Sequence, residues 1–351
     1  MPKHPVRRRW LALAAGALVL VSAACGNDRG RTPEPVAASG TEDTSTWSFT
    51  DDLGVTVTRD SRPTRIVAQV SAAATLYDYG IKPVGVFGPT VRKDGTPENL
   101  AGDLAQLGNL PSVGSAWGEF NLEQLAALKP DLIVTMSYEE SLENAKYDPY
   151  WFVPKDSLEK IKGIAPIVAI RLRGEPLDHT VERFAELAKA LGADMDGGAN
   201  AAARSRFNEA RDDFAKAIAD KPGLTALFVA GYTESFYVAN PEVAVDVAWF
   251  RELGLQVPDV AVADGEFWEV LSWEQAGRHA ADVIFNDIRG QSLTVEEMKK
   301  GQPTFANLPA VKAGQVGRWH FESPYSYESV ADVLADMTTT IRAANPSVVP
   351  S

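Results

Sequence analysis

The chain has one cysteine, Cys25, in 351 residues. That excludes an intrachain disulfide framework, so stability must come from a buried core, which a chain of this length can build. Histidine is nearly as scarce, with four in all. His4 lies in the leader, and His179, His279 and His320 are far apart without helical ligand spacing, so structural or surface roles are expected and no protein metal site. There is no G-x-S-x-G elbow, no Walker A loop, no H-E-x-x-H and no cysteine nucleophile, which leaves an enzyme reading little to stand on. After residue 21 no apolar run approaches the roughly 20 residues of a spanning helix. Positive charge is also short. The formal net charge is -13, and losing the four cations Lys3, Arg7, Arg8 and Arg9 with the leader takes it to -17. Nucleic acid and anionic lipid surfaces are therefore poor partners.

What is present begins with an export address. A cationic start through Arg9, an apolar run from Trp10 to Val21 and the small residues Ser22-Ala23-Ala24 read as a signal peptide over 1–24. Cys25 followed by Gly26 resembles the processing site of bacterial lipoproteins, whose cysteine carries a diacylglycerol thioether. Ser22 stands where that family usually has Leu. Arg8-Arg9-Trp10-Leu11 is a partial twin-arginine signal, and the export route stays open. Residues 26–46 hold almost no large apolar side chain and read as a flexible tether, reaching about 25 Å.

The rest alternates short apolar runs with amphipathic stretches, the pattern of an α/β fold. Phe49 to Val57 reads as a small hairpin. Strands are expected at Arg65–Val70, Pro83–Phe87, Leu132–Met136 and Ile167–Ile170 in a first lobe over 47–194. A second lobe over 222–351 has them at Leu224–Ala230, Phe236–Ala239, Val283–Asn286 and Val316–Trp319. A helix from about Met195 to Ala219, within a connecting segment 195–221, links the two, which predicts a stiff hinge with limited opening. An internal repeat supports a shared plan: Asn121-Leu122-Glu123-Gln124 through Asp131-Leu132-Ile133-Val134 recurs as Ser272-Trp273-Glu274-Gln275 through Asp282-Val283-Ile284-Phe285. Each copy is a cap residue, a short helix with Glu in its first turn, then Asp opening a buried strand.

Ligand chemistry is expected at the carboxyl ends of the strands. Aromatic residues gather there: Trp117 and Tyr138 in the first lobe, then Tyr232, Phe236, Trp268, Trp319, Tyr325 and Tyr327 in the second. Such walls suit a bulky organic ligand. Trp117, Tyr232 and Trp268 lie beside glycines in expected loops, outside any periodic core stripe. Arg92 and Arg289 also follow strands and could clamp an anionic oxygen. Glu123 and Glu274 are explained by the helix dipole alone, yet their matched positions in two lobes also suit a basic two-fold partner.

The chain from about Trp47 to Pro346 resembles the iron-siderophore class of substrate-binding lipoproteins of ABC transporters, which includes cobalamin and haem binders. Arg65-Ile66-Val67, Tyr79-Gly80-Ile81-Lys82-Pro83-Val84-Gly85-Val86 and both copies of the repeat carry the resemblance. It implies two α/β lobes joined by one long helix with the ligand cleft between them, a class III periplasmic-binding-protein-like arrangement. Glu123 and Glu274 would form salt bridges with arginines of two permease subunits, themselves driven by a cytoplasmic ATPase. The ligand would be a ferric siderophore, with the iron held by the siderophore and no cofactor in the protein. A pocket rich in aromatics and thin in Arg and Lys suits a neutral ferric hydroxamate better than a ferric catecholate. Trp117, Tyr138, Tyr232, Trp268 and Arg289 are the expected ligand contacts, Cys25 the lipidation site, and a monomer on the outer face of the cell membrane the expected form. Cobalamin or haem is the alternative, haem taking Tyr138, Tyr232, Tyr325 or His320 as axial ligand. An exported α/β enzyme is the alternative from another class.

Overall fold

The computed structural model describes residues 46–349 except 109, 117, 118, 147 and 264. The leader, Cys25, nearly all of the tether, and Trp117 lie outside the described residues. Among the described residues no helix is long and apolar enough to cross a membrane.

The entry hairpin, β1 (Trp47–Thr50) and β2 (Thr56–Arg59), is antiparallel. Its turn closes on Asp51, whose carboxylate accepts from the N–H of Leu53 and Val55 and, with its other oxygen, from Ala169 N. An acidic side chain short enough to bond its own turn thus also fastens the hairpin to the first lobe.

That lobe is a five-stranded parallel sheet, β3 (Ile66–Gln69), β4 (Gly85–Phe87), β5 (Ser112–Gly114), β6 (Leu132–Ser137) and β7 (Ile167–Arg171), in the order β5-β4-β3-β6-β7. Helices α1 (Val70–Asp78), α2 (Leu122–Leu128), α3 (Leu158–Lys162) and α4 (Leu177–Ala190) flank it. Both faces are covered, so β3 and β6 are buried at every position and read as continuous apolar runs. Helix α5 (Gly198–Ala219) runs on to the second lobe. It starts after Gly197, where Asp194 Oδ1 accepts from the N–H of Asp196 and Gly197 and holds the chain out of helical geometry.

The second sheet is mixed, β8 (Ala226–Gly231), β9 (Phe236–Ala239), β10 (Trp268–Leu271), β11 (Val283–Asp287) and β12 (Val316–Trp319), in the order β10-β9-β8-β11-β12 with β9 and β10 antiparallel to their neighbours. Its helices are α6 (Val245–Glu252), α7 (Val295–Gly301), α8 (Pro303–Ala306), α9 (Pro309–Lys312) and α10 (Tyr327–Ala343). Strand β10 was expected as loop. The reason is an inverted alternation: Glu269 is buried at 4% exposure while Val270 is 57% exposed, so the apolar period points the wrong way. Burial of Glu269 is compensated by Arg278 at 2.7 Å and His279 at 2.5 Å. β5 is three residues long and carries no period at all.

The repeat differs in its middle. Leu122–Leu128 is a seven-residue α-helix, but its counterpart is a three-residue 3-10 turn, Trp273–Gln275. Gly277 and the turn of Arg278 N onto Gln275 O end it early. The closing aspartates do the same job in both lobes: Asp131 accepts from the N–H of Thr64 and Arg65 ahead of β3, and Asp282 from Thr225 N ahead of β8. Each therefore ties the start of one central strand to its neighbour.

Candidate functional site

The lobes meet along a seam made by α1 and the segment between β12 and α10. Ser71 Oγ donates to Glu322 O at 2.6 Å, Tyr325 N to Thr75 Oγ1 at 2.7 Å, and Tyr327 N to the Tyr79 hydroxyl at 3.1 Å. The hydroxyls of Ser326 and Ser329 both donate to Asp78. Burial still pushes the Asp78 carboxyl up to about 6, against those two bonds. Phe184 stacks on Tyr325 at 6.0 Å between centroids, and one hydrophobic cluster runs through both lobes.

In front of the seam, three strands bring their carboxyl ends together. Tyr138 follows β6, Arg289 follows β11 and Glu322 follows β12. Tyr138 Oη donates to Glu322 Oε1 at 2.6 Å, and Arg289 Nη1 donates to Glu322 Oε2 at 2.7 Å. Glu322 therefore joins the first lobe to the second with both oxygens engaged. Its backbone is left-handed, φ 58°, an uncommon conformation for a residue with a Cβ. Asp287 grips the other side of the guanidinium from Nε and Nη2 at 2.9–3.1 Å. Arg289 also lies over the Phe321 ring, 4.3 Å from its centroid. Burial acts to lower its pKa, but Glu322 and Asp287 outweigh that and hold the cation charged. Burial, then the Glu322 charge, drives the Tyr138 phenol well above its ordinary range.

The second lobe adds an aromatic wall. Tyr232 meets Tyr237 edge-on at 5.0 Å, Tyr237 meets Trp268 at 5.8 Å, and Trp268 packs on Phe267, Trp319 and Phe321 at 4.9–5.8 Å. Tyr138 reaches it from the first lobe, 6.1 Å from Phe267. Behind this wall lies a cavity of about 30 Å³ lined by Tyr138, Asp246, Phe267, Trp319 and Glu322 among others. That is room for water, not for an organic chelate. Burial lifts Asp246 to about 6, opposed by the Trp319 indole donating at 2.6 Å.

Two rims flank the crevice. On one, Arg92 Nη2 donates to Ile288 O at 2.7 Å and Gly290 N to the Glu98 carboxylate at 3.0 Å, with Arg92 and Glu98 3.6 Å apart. On the other, Lys146 pairs with Glu266 and Arg173 donates to Gly265 O. Among the described residues, then, Tyr138, Tyr232, Trp268 and Arg289 do come to one crevice, Arg92 sits on its rim, and Trp268 stands in a strand where a loop was expected. Sequence reading missed Phe267, Phe321, Tyr237 and above all Glu322. The pair Phe267-Trp268 and the run Trp319-His320-Phe321-Glu322 directly after the last strand were the available signals.

Glu123 and Glu274 are far from this chemistry in character. Both are exposed, each one residue inside its turn, behind the caps Asn121 and Ser272. The Ser272 hydroxyl holds the Glu274 carboxyl below its usual range.

A model of the periplasmic binding proteins matches residues 67–322, which includes both sheets and ends on Glu322. The chain belongs to that family. Its members here are solute-binding proteins, not enzymes, of the extracytoplasmic kind that works with the permease and ATPase of an ABC importer. The crystal structure of DesE, a ferric-siderophore receptor protein from Streptomyces coelicolor, is 35% identical with a TM-score of 0.78, over 85% of this chain and 99% of that one. The siderophore periplasmic binding protein from the fuscachelin gene cluster of Thermobifida fusca is 26% identical, TM-score 0.56, over 80% and 96%. The Fe(3+)-citrate-binding protein YfmC of Bacillus subtilis strain 168 is 27% identical over 267 residues, 76% of each chain.

Proposed function

We propose that this family member is the receptor of an importer for ferric siderophores, and that it takes neutral or cationic hydroxamate complexes in preference to anionic catecholates. Its likeness to DesE and the fuscachelin-cluster protein, both siderophore-binding proteins, supports the ligand class. The observation that carries the preference is the pairing of the cations: Arg289 is held by Asp287 and Glu322, Arg92 by Glu98, and Lys146 by Glu266. An anionic chelate would have to displace a carboxylate from each. The aromatic wall supplies apolar contact instead. Trp117, Tyr138, Tyr232 and Trp268 are the proposed contacts, with Arg289 holding Glu322 in place beside them.

Delivery follows from Glu123 and Glu274, proposed to engage arginines of two permease subunits while Cys25 carries the lipid and residues 26–46 the slack. The receptor acts as a monomer. Titration of tryptophan fluorescence with ferric hydroxamate, ferric catecholate, cobalamin and haem tests the ligand. Quenching by ferric hydroxamate at the lowest concentration is expected; no quenching by either iron-siderophore complex would sink the reading.

A further inference from the structure

The chemistry of the crevice floor can be taken one step further, resting on the receptor reading. The water-sized cavity behind the crevice is lined by two carboxylates, Asp246 and Glu322, with His320 beside them and no Lys or Arg. Of the two, Asp246 is turned to the Trp319 indole. Glu322 faces both lobes: it accepts from Tyr138 on one side and Arg289 on the other. Among the described residues the guanidinium bonded to it is that of Arg289, which is also clasped by Asp287, at 0% side-chain exposure. Two carboxylates on one guanidinium leave the group with a net negative charge, in a place where water screens poorly. Glu322 holds this place on a left-handed backbone, φ 58°, an uncommon conformation for a residue with a Cβ.

We infer that Glu322 is the residue that selects ligand charge: its carboxylate refuses anionic iron complexes and gives way to neutral or cationic ones, which exchange its Tyr138 hydrogen bond for contacts of their own. Arg289 is a positioning residue that aims Glu322. It is not a clamp for the ligand.

The experiment compares three ferric complexes by tryptophan quenching: a linear trihydroxamate with a free amine (cationic), a cyclic trihydroxamate (neutral) and a tris-catecholate (anionic). The full-length receptor should bind the first two at least about a hundredfold more tightly than the third. Glu322→Gln keeps the shape and, with its oxygen accepting from Arg289 and its amide N–H donating to the Tyr138 hydroxyl, both partners, but it removes the charge and should narrow that gap about tenfold or more. Glu322→Asp keeps the charge and should retain the gap that Glu322→Gln narrows. A gap unchanged in Glu322→Gln, with all three affinities falling together, would make Glu322 structural and overturn the assignment while leaving the receptor reading intact. Should Glu322→Gln fail to fold, the wild-type order alone decides, since tighter binding of the anionic than of the neutral complex overturns the assignment. Absence of quenching by all three in the wild type overturns the receptor reading and this inference with it.

Discussion

The two lobes open on the same plan and diverge where they border the crevice. Both tie a pair of central strands with an aspartate, Asp131 or Asp282, and both present a glutamate behind a cap. The first keeps a parallel sheet; the second reverses β9 between β8 and β10 and lines the crevice with Tyr232, Tyr237, Phe267, Trp268 and Phe321. The antiparallel β8–β9 pair needs only the short turn from Tyr232 to Ser235, where a parallel pair would need a crossover. What repeats is thus the frame and the exposed acids, and what differs is the wall of the crevice, the proposed recognition surface.

The sharpest way to break the symmetric half of this comparison is charge reversal. Glu123→Arg with Glu274→Arg should abolish cellular uptake of the iron complex while affinity stays within about threefold; an affinity that falls with uptake would make the pair structural. The asymmetric half predicts that Tyr232→Ala or Trp268→Leu weakens binding about tenfold, or about 1.4 kcal/mol, against less than about threefold for Tyr138→Phe, measured by fluorescence titration. Equal losses on both sides would show that the first lobe shares the recognition.

Between the two aspartates the expected costs also differ. Asp282 accepts from Thr225 N and Oγ1 and from the N–H of Val348 and Val349, at 3% exposure, whereas Asp131 is only half-buried with bonds from residues 64 and 65. Asp282→Ala should cost about 3 kcal/mol and Asp131→Ala about 1 kcal/mol in denaturant unfolding. Similar costs would mean that the C-terminal residues 348 and 349 add nothing.

The smallest effect is in pH. Asp78 at the seam and Asp246 in the cavity titrate near 6 when folded and near 3.8 when unfolded, so the folded state binds the extra proton between those values. Their contribution to stability is full below about 3.8 and is lost as pH rises to about 6, by at most about 3 kcal/mol each. Asp282, Asp336 and Glu269, held low in the fold, act the other way as pH falls. Asp246→Asn should flatten the profile between pH 4 and 6 in thermal unfolding, and an unchanged profile would count against this account.

Most of the frame was legible in the sequence because it rests on apolar runs and repeated caps: the strands around Ile66, Leu132, Ala226 and Val283 were expected within a few residues. Glu269 hid β10, since a charged residue buried beside Arg278 and His279 breaks the alternation that marks a strand. Glu322 was illegible for another reason. Nothing in a lone acid after a strand tells that its partners are 33 residues upstream and in the other lobe. The aromatic wall was half visible, its residues near strand ends but their mutual contacts unknowable from spacing.

The seam on Asp78, Tyr79, Ser71 and Thr75 stitches α1 of the first lobe to the segment between β12 and α10 of the second. Those bonds resist the lobes swinging apart at the seam, so an empty and a loaded molecule would differ little in shape.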